Sequence, residues 1–358
     1  MKTPFASLLA FASAALVSLV SSTACAANDY QIFVSNEHGG TLTVINGADL
    51  SVAATFPVGK RPRGVHCTPD GKTLFVALSG TPIEAPPKLD ANGNPIFQKG
   101  HDDDDDDAAK SDKQADGIGI IDIAEHKFLR KLPAGSDPEN FAVSSDGKRL
   151  YISNEDVGAA TVLNVDTGKI EHLVIVSKEP EGVGVTPDGK EFWVTCETAG
   201  VIYAIDAATG REITHFGVHP RPRSVDFTPD GARAFIPSES VGELNMIDAV
   251  NHKVLQVIAL PKGSRPMCVK VTPDGNKVYV SAGRAGVVCV VDARSGEVLP
   301  SIKVGARPWG IAITPDGQRM FVANGPSNDI SVVDLASAKE IARVKSPGSP
   351  WGIAIVPR

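Results

Sequence analysis

The sequence predicts an all-β protein, a seven-bladed β-propeller of four-stranded antiparallel blades, and three observations support this fold class. A turn sequence recurs at a nearly fixed interval, each period holds four short apolar segments, and each period carries one aromatic residue at a constant place. A period of about 40–45 residues with four strands is typical of propeller blades, in which each sheet buries its faces against its neighbours.

The turn sequence is Thr-Pro-Asp-Gly, and it sets the period. From Asp146 onward its aspartates stand 42, 42, 44 and 42 residues apart, whereas the step from Asp70 to Asp146 is 76. Pro-Asp-Gly is typical of a tight turn, because proline presets φ and glycine accepts a positive φ. The five copies and one Ser-Ser-Asp-Gly variant lie at 68–71, 186–189, 228–231, 272–275, 314–317 and 144–147.

The segments between these turns predict the strands. In the third repeat they span 141–144, 150–154, 161–166 and 170–176, with alternating apolar and β-branched residues. One aromatic stands five residues after each aspartate of the turn, or in the matching place of the first unit, and we interpret this stripe as packing between neighbouring sheets. Its members are Phe33, Phe75, Tyr151, Trp193, Phe235, Tyr279 and Phe321.

The ends of the chain predict how the ring closes. The first repeat starts in a second strand, at 30–36, and the chain finishes with an isolated first strand, at 351–357. We therefore expect blade 1 to combine residues 30–58 with residues 351–357, within a propeller that spans 27–358. A sheet that holds both ends of the chain leaves no free edge to invite aggregation.

Residues 1–26 have the pattern of a secretory signal peptide. Lys2 provides a positive start, residues 5–20 an apolar core, and Ala24-Cys25-Ala26 a small-residue cleavage site. A lipoprotein signal at Cys25 is the weaker alternative, because Ser22 stands where that signal prefers Leu or Val. No later apolar stretch approaches the roughly 20 residues of a membrane helix. We expect an exported, periplasmic protein without membrane insertion.

Most of the formal charge of −7 lies in one insertion in blade 2, at about 80–117. This segment holds ten acidic residues against four lysines, a balance of −6, so the rest of the chain is close to neutral. A near-neutral body argues against nucleic-acid binding. We predict a disordered acidic insertion. An arm that steers a basic partner such as a cytochrome stays an alternative, as does a cation-binding segment formed by His101 and the aspartates 102–107.

Several repeats resemble the consensus of the YVTN family of β-propellers, including Tyr279-Val280-Ser281, 304–312 and 330–334. A narrower set looks like the PQQ-dependent catabolism-associated propellers: Val34-Ser35-Asn36-Glu37, Arg61-Pro62-Arg63-Gly64, Asp137-Pro138-Glu139, Glu179-Pro180-Glu181-Gly182, Arg221-Pro222-Arg223 and Pro350-Trp351-Gly352. This resemblance implies a seven-repeat exported protein found beside periplasmic quinoprotein alcohol oxidation, and it implies a setting rather than a reaction. The insertion departs from the pattern.

The candidate site comes from positions that are equivalent in place but unlike in chemistry. We expect X-Pro-X loops between the fourth strand of one blade and the first strand of the next, on the face that also holds the second-strand ends. After the proline, in blade order, stand Trp351, Arg63, Glu139, Glu181, Arg223, Met267 and Trp309, while Arg307 precedes the last of these prolines. Paired tryptophans beside arginines suit a flat anion or an aromatic ligand.

We therefore predict a non-catalytic binding site centred on Trp309, Trp351 and Arg63. Its partner is a small aromatic or anionic ligand, or a periplasmic protein such as a cytochrome or dehydrogenase, and no cofactor is predicted. The purely structural alternative is mutual neutralisation at the channel mouth, with Arg63 pairing Glu139 and Arg223 pairing Glu181.

Two further functional classes stay open. A metal-dependent, lactonase-like hydrolase could use the acidic residues Glu139, Glu155, Glu181 and Glu197 as metal ligands or as a base. A periplasmic metal carrier could use His66 with Glu155 and Glu197. No His-Glu-x-x-His, nucleophile elbow or Gly-x-Gly-x-x-Gly motif supports another enzyme class.

Overall fold

Seven four-stranded antiparallel sheets form a closed ring in the computed structural model, which describes residues 30–82 and 111–358. The predicted fold class is confirmed. The expected signal peptide at 1–26 and the greater part of the expected insertion at about 80–117 lie outside the described residues. Within the described residues, no helix has the length and apolarity needed to cross a membrane.

Each blade runs from an inner first strand to an outer fourth strand. Blades 1 to 3 consist of β28 (Pro350–Pro357), β1 (Tyr30–Asn36), β2 (Thr41–Asn46) and β3 (Val52–Pro57); β4 (Pro62–Cys67), β5 (Leu74–Leu78), β6 (Gly117–Asp122) and β7 (Lys127–Leu132); and β8 (Pro138–Val143), β9 (Arg149–Asn154), β10 (Ala159–Asn164) and β11 (Lys169–Ile175).

Blades 4 to 7 repeat this order. They consist of β12 (Pro180–Val185), β13 (Glu191–Cys196), β14 (Val201–Asp206) and β15 (Glu212–Gly217); β16 (Asp226–Phe227), β17 (Arg233–Ser238), β18 (Glu243–Asp248) and β19 (Lys253–Ala259); β20 (Pro266–Val271), β21 (Lys277–Ala282), β22 (Val287–Asp292) and β23 (Val298–Lys303); and β24 (Pro308–Ile313), β25 (Arg319–Asn324), β26 (Asp329–Asp334) and β27 (Lys339–Lys345). Glu155–Val157 form a short 3-10 turn after β9.

The ring closes through the last strand, as the sequence predicts. β28 pairs antiparallel with β1, with Phe33 opposite Ala354 and Ile32 opposite Ile355. The first strands of neighbouring blades contact one another, so β28, β4, β8 and the strands equivalent to them surround the centre of the ring. Side chains at the start of these strands therefore meet at one end of the central channel, which we call the channel mouth.

The X-Pro-X segments correct one expectation. In six blades the proline is the first residue of the first strand and not part of a loop before it; in blade 5 Pro222 forms an isolated bridge with Ser238. In blade 3 Pro138 lies opposite Asn154, and after a register shift Phe141 lies opposite Ile152. Proline is accepted at a strand start or bulge because it has no N–H to donate there. In these six blades the residue that follows the proline therefore extends from a strand and not from a loop.

The aromatic stripe packs between blades, which confirms its structural interpretation. All seven members are at least 98% buried. Phe75 meets Phe141 of the next blade at 6.4 Å between ring centroids, and Tyr151 stacks on Phe192 at 4.5 Å. These rings belong to apolar clusters that each join two neighbouring blades. Burial of these rings supplies much of the cohesion between sheets.

The Thr-Pro-Asp-Gly segments form the turns between first and second strands, at the end of the ring opposite the channel mouth. In blade 5, Thr228 Oγ1 donates to Asp230 Oδ1 over 2.6 Å, and Asp230 Oδ1 accepts the N–H of Ala232 over 3.0 Å. Gly231 has a φ of 70°, a conformation that glycine adopts without strain. The repeated motif is thus a self-contained turn away from the candidate site.

Candidate functional site

The residue before each X-Pro proline has a left-handed backbone conformation, which the sequence does not predict. The φ angles are 42° at Arg61, 46° at Asp137, 54° at Glu179, 62° at Arg221, 49° at Arg265, 48° at Arg307 and 62° at Ser349. A residue before proline is normally extended, and a left-handed non-glycine residue costs about 1–2 kcal/mol. The surrounding structure must offset that cost at every blade.

Backbone hydrogen bonds connect these strained residues to the second-strand ends. The N–H of Glu155 donates to the carbonyl of Asp137 over 3.1 Å, and Glu197 donates to Glu179 over 2.8 Å. The bond from Glu239 to the Arg221 carbonyl repeats this contact in blade 5. The same geometry in blades 3, 4 and 5 therefore places the acidic side chains of Glu155, Glu197 and Glu239 beside the residues that flank the proline.

One buried ion-pair cluster joins blades 1, 2 and 3. Arg63 Nε donates to Glu37 Oε1 over 2.5 Å, and its Nη1 donates to Glu139. Arg61 Nη1 lies 3.2 Å from Asp137 Oδ1. Burial raises the pKa of Glu139, but the guanidinium groups of Arg63 and Arg61 outweigh burial and hold that pKa below its ordinary value of 4.5. The predicted pairing of Arg63 with Glu139 is present.

A second cluster joins blades 4 and 5. Arg223 Nε donates to Glu239 Oε2 over 2.7 Å, and its Nη1 donates to Glu197 Oε2 over 2.9 Å. The same Nη1 lies 3.4 Å from Glu181 Oε2, so the predicted pair of Arg223 and Glu181 is also present. Arg221 Nη2 contacts Glu197 Oε1 at 2.5 Å. This cluster lies across the channel mouth from Arg63.

Carboxyl groups crowd the gap between the two clusters. Burial raises the pKa of Glu155 well above 4.5, and the neighbouring carboxylates of Glu139 and Glu181 raise it further. Burial also raises the pKa of Glu181 well above that value, because Arg223 compensates only in part. One oxygen from each of Glu155, Glu181 and Glu197 lies within 4.8 Å of the others. These groups could share protons or hold a cation.

The two tryptophans stack on each other at the opposite side of the mouth. Their ring centroids lie 5.6 Å apart with an interplanar angle of 28°. Three guanidinium carbons surround them: Arg63 at 5.6 Å from the Trp351 ring, and Arg307 and Arg223 at 4.8 and 5.9 Å from the Trp309 ring. Nε1 of Trp351 is buried and makes no hydrogen bond within the described part of the chain. The predicted aromatic and cationic groups are therefore brought together.

The contacts found for Met267 and His66 are with uncharged groups. Met267 is buried, with its Cγ and Sδ against Gly283 at the end of β21. His66 Nε2 lies 3.0 Å from Asn140 Oδ1, and the His66 ring packs edge-on to Phe141. Burial lowers the pKa of His66 to about 4. Among the described residues, the groups of carboxylates that could hold a metal do not include His66.

The prediction omitted several side chains that build the clusters. Glu37, Arg61, Asp137, Arg221 and Glu239 all make ion pairs at the mouth. Their signal in the sequence was available, because each either precedes an X-Pro proline or follows a second strand. The backbone contact that brings these two positions together was not visible without the fold.

No family model matches the chain, and no curated protein is similar to it in sequence. Solved structures share its fold. Hydrazine synthase from Kuenenia stuttgartiensis aligns with a TM-score of 0.70 and 19% identity, over 90% of this chain and 99% of that one. Two Bacteroides structures are each described as a "putative 6-phosphogluconolactonase". The one from B. fragilis has a TM-score of 0.71 and 18% identity, over 93% and 99% of the two chains.

The one from B. uniformis has a TM-score of 0.71 and 16% identity, over 92% of this chain and 100% of that one. At these identities the comparisons define a fold and no activity. The protein belongs to the class of seven-bladed β-propellers.

Proposed function

We propose that this protein is a non-catalytic binding module that takes a small anionic aromatic ligand at its channel mouth. The observation that carries the proposal is the stacked pair of Trp309 and Trp351 with Arg63, Arg223 and Arg307 around it. Tryptophan faces bind flat rings, and guanidinium groups bind carboxylates through charge-assisted hydrogen bonds. Here the groups that bind a flat ring and the groups that bind a carboxylate belong to neighbouring side chains.

The indole N–H of Trp351 supports an anion rather than a neutral ring. It is a donor only, and it is buried without a partner in the described structure. A buried unsatisfied donor costs about 1–3 kcal/mol. A carboxylate oxygen that reached this N–H would remove that cost and would also lie near Arg63. Trp351 is itself only partly buried, so a ligand can approach it from the channel.

The same proposal includes the cellular location of the protein and the pathway in which it takes part. The signal-peptide pattern at 1–26 and the likeness to PQQ-associated propellers support an exported, periplasmic protein that is accessory to alcohol oxidation. A periplasmic protein such as a cytochrome or dehydrogenase is the alternative partner, with the acidic segment 80–117 steering its approach. Deleting residues 83–110 should then slow association with a basic cytochrome and reduce its salt dependence, and an unaltered rate would remove this role.

Calorimetric titration tests the ligand site. Pyrroloquinoline quinone and simpler aromatic carboxylates such as benzoate are the probes, added to the wild type, to Trp309→Ala and to Trp351→Ala. We expect each substitution to weaken binding at least tenfold, whereas His215→Ala, on the outer strand of blade 4, leaves it unchanged. If the wild type binds a probe and both tryptophan variants bind it equally well, the placement is wrong.

A lactonase-like, metal-dependent hydrolase is the second candidate. The crowded carboxyl groups of Glu139, Glu155, Glu181 and Glu197 favour it, and the raised pKa values of Glu155 and Glu181 suit a general acid or base. Lactone hydrolysis measured with and without divalent cations, and lost in Glu181→Gln, would establish this activity. The metal carrier built on His66 gains no such support, because His66 contacts Asn140. Zinc dialysis on wild type and His66→Ala tests that carrier.

A further inference from the structure

The residue that follows the second strand changes in character around the ring. It is glutamate in blades 1, 3, 4 and 5 and serine in blade 2, but it is glycine in blade 6, at 283, and in blade 7, at 325. The backbone contact stays the same. Gly283 N–H donates to the Arg265 carbonyl over 2.9 Å and Gly325 N–H to the Arg307 carbonyl over 3.4 Å, as the glutamates do in their own blades. Blades 6 and 7 therefore keep the geometry of the channel mouth and lack the carboxylate at this position.

Glutamates at this position bind arginines of the following blade. The pairs are Glu37 with Arg63 at 2.5 Å, Glu197 with Arg223 at 2.9 Å, and Glu239 with Arg265 at 2.8 Å. By the same relation, a glutamate at 283 in blade 6 would bind Arg307 of blade 7. Glycine at 283 offers no negative charge to offset that of the arginine.

Arg307 lies against the tryptophan pair. Its guanidinium carbon is 4.8 Å from the centre of the Trp309 ring, closer than Arg63 is to Trp351 or Arg223 to Trp309. Arg63 and Arg223 both bind glutamates, whose negative charge offsets theirs. At the two residues that flank the proline and at the end of the second strand, blades 6 and 7 hold arginine, methionine, tryptophan and glycine, but no carboxylate. These two blades therefore add only positive charge to the mouth at these positions.

We propose that Gly283 and Gly325 determine the charge that the channel mouth selects, so that it binds aromatic carboxylates and rejects aromatic cations. This selectivity rests on the aromatic-anion site proposed for the mouth, and it assigns the carboxylate of the ligand to Arg307, on blades 6 and 7. A guanidinium binds a carboxylate through charge-assisted hydrogen bonds. A glutamate beside Arg307 would compete for those bonds and would repel the ligand.

A glutamate introduced at 283 tests this selectivity by calorimetric titration of benzoate and of benzylamine. Gly283 does not have a positive φ, so it accepts a side chain without backbone strain. A Cβ there would lie 3.3 Å from Cγ of Met267, a flexible side chain that can move. We expect Gly283→Glu to weaken benzoate binding at least about tenfold, because a hydrogen bond between charged groups is lost, and to strengthen benzylamine binding. Gly283→Gln has nearly the same size without the charge and should bind both probes as the wild type does.

Fluorescence quenching measures the charge at the mouth without a bound ligand. Of the three tryptophans in the chain, Trp193 is fully buried, so iodide and caesium ions report on Trp309 and Trp351. We expect iodide to quench the wild type more strongly than caesium does. The ratio of iodide to caesium quenching should fall at least about twofold in Gly283→Glu, because the local field concentrates or excludes ions by their sign. It should stay unchanged in Gly283→Gln.

Equal behaviour of Gly283→Glu and Gly283→Gln in both measurements would overturn the selectivity, and the ligand site would still stand if Trp309→Ala and Trp351→Ala weaken benzoate binding. If the wild type binds no aromatic carboxylate, the proposed function fails, and the quenching ratios alone decide the charge selectivity. If Gly283→Glu does not fold, Gly325→Glu and Gly325→Gln serve as the second pair, with the same expected difference. A Cβ at 325 would lie 3.4 Å from Trp309 Cδ1, so a charge there also acts on the tryptophan pair.

Discussion

Arg63 connects the two parts of the channel mouth, because its guanidinium carbon lies 5.6 Å from the Trp351 ring while its Nε donates to Glu37 over 2.5 Å. The same side chain also binds Glu139. A single buried cation thus orients the aromatic pair and compensates two carboxylates. Because Arg63 is 8% exposed, its contacts are only weakly screened by solvent.

Arg63→Met should destabilise the protein by about 3–5 kcal/mol, since it leaves buried carboxylates without their cation. The free energy of unfolding in urea at pH 7.5 measures the loss. The double variant Arg63→Met with Glu139→Gln should lose less than the single variant, because it removes one of the stranded charges. A double variant that is as unstable as the sum of the two single changes would show that the pair is not coupled.

Stability should fall as pH rises above the ordinary carboxyl pKa of 4.5. The pKa of Glu155 and of Glu181 in the folded protein lies well above the ordinary 4.5, so their stabilisation is complete below 4.5 and is lost as pH rises toward the folded value. Glu155→Gln cannot ionise and should flatten this decline. Urea unfolding in the presence of EDTA, from pH 5 to 9, measures it; identical slopes in wild type and variant would contradict the assignment.

At low pH, stability should depend instead on the carboxyl groups whose pKa is lowered in the folded protein. The pKa values of Glu37 and Glu139 are lowered because Arg63 and Arg61 outweigh the effect of burial. Their stabilisation is present above 4.5 and is lost as pH falls through the folded values. Glu37→Gln should therefore remove part of the acid-induced loss of stability in unfolding measured from pH 5 to 2.5. A variant with an unchanged acid limb would exclude Glu37 as a source.

The left-handed residues before proline predict that glycine is better tolerated at these positions than a β-branched residue. Glu179, with a φ of 54°, is exposed, so its side chain can be changed without altering the core. Glu179→Val should be less stable than Glu179→Gly by about 1–2 kcal/mol, because a β-branched residue is strained at positive φ and glycine is not. Both variants lose the same contact with Thr198, which makes the pair a matched comparison. Equal stabilities in thermal unfolding would refute this strain.

The Thr-Pro-Asp-Gly turns should affect stability and not binding. Asp230→Ala removes the acceptor for Thr228 Oγ1 and for the Ala232 N–H, which should cost about 1–3 kcal/mol. Affinity for an aromatic carboxylate should stay within twofold of wild type, because the turn lies at the far end of the blade. A selective loss of binding with unchanged stability would indicate that the turn face has a direct role.

Much of the site's composition could be predicted because the repeat aligns equivalent positions. Trp309 and Trp351 occupy the same place in blades 7 and 1, and adjacent blades bring them into contact. The alignment likewise predicts the contacts of Arg63 with Glu139 and of Arg223 with Glu181. It does not rank partners, however, so the stronger contacts of Arg223 with Glu239 and Glu197 were missed.

By itself the sequence determined the number of blades, the order of their strands, the closure by β28 and the burial of the aromatic stripe. Each of these features depends on local periodicity, which recurs in successive repeats of the sequence. The tertiary structure alone decided the left-handed backbone at Asp137 and its equivalents, because hydrogen bonds from residues such as Glu155 override the extended preference before proline. It also decided which carboxyl groups are paired with arginine and which are crowded, because the balance of burial against charge depends on distances between blades.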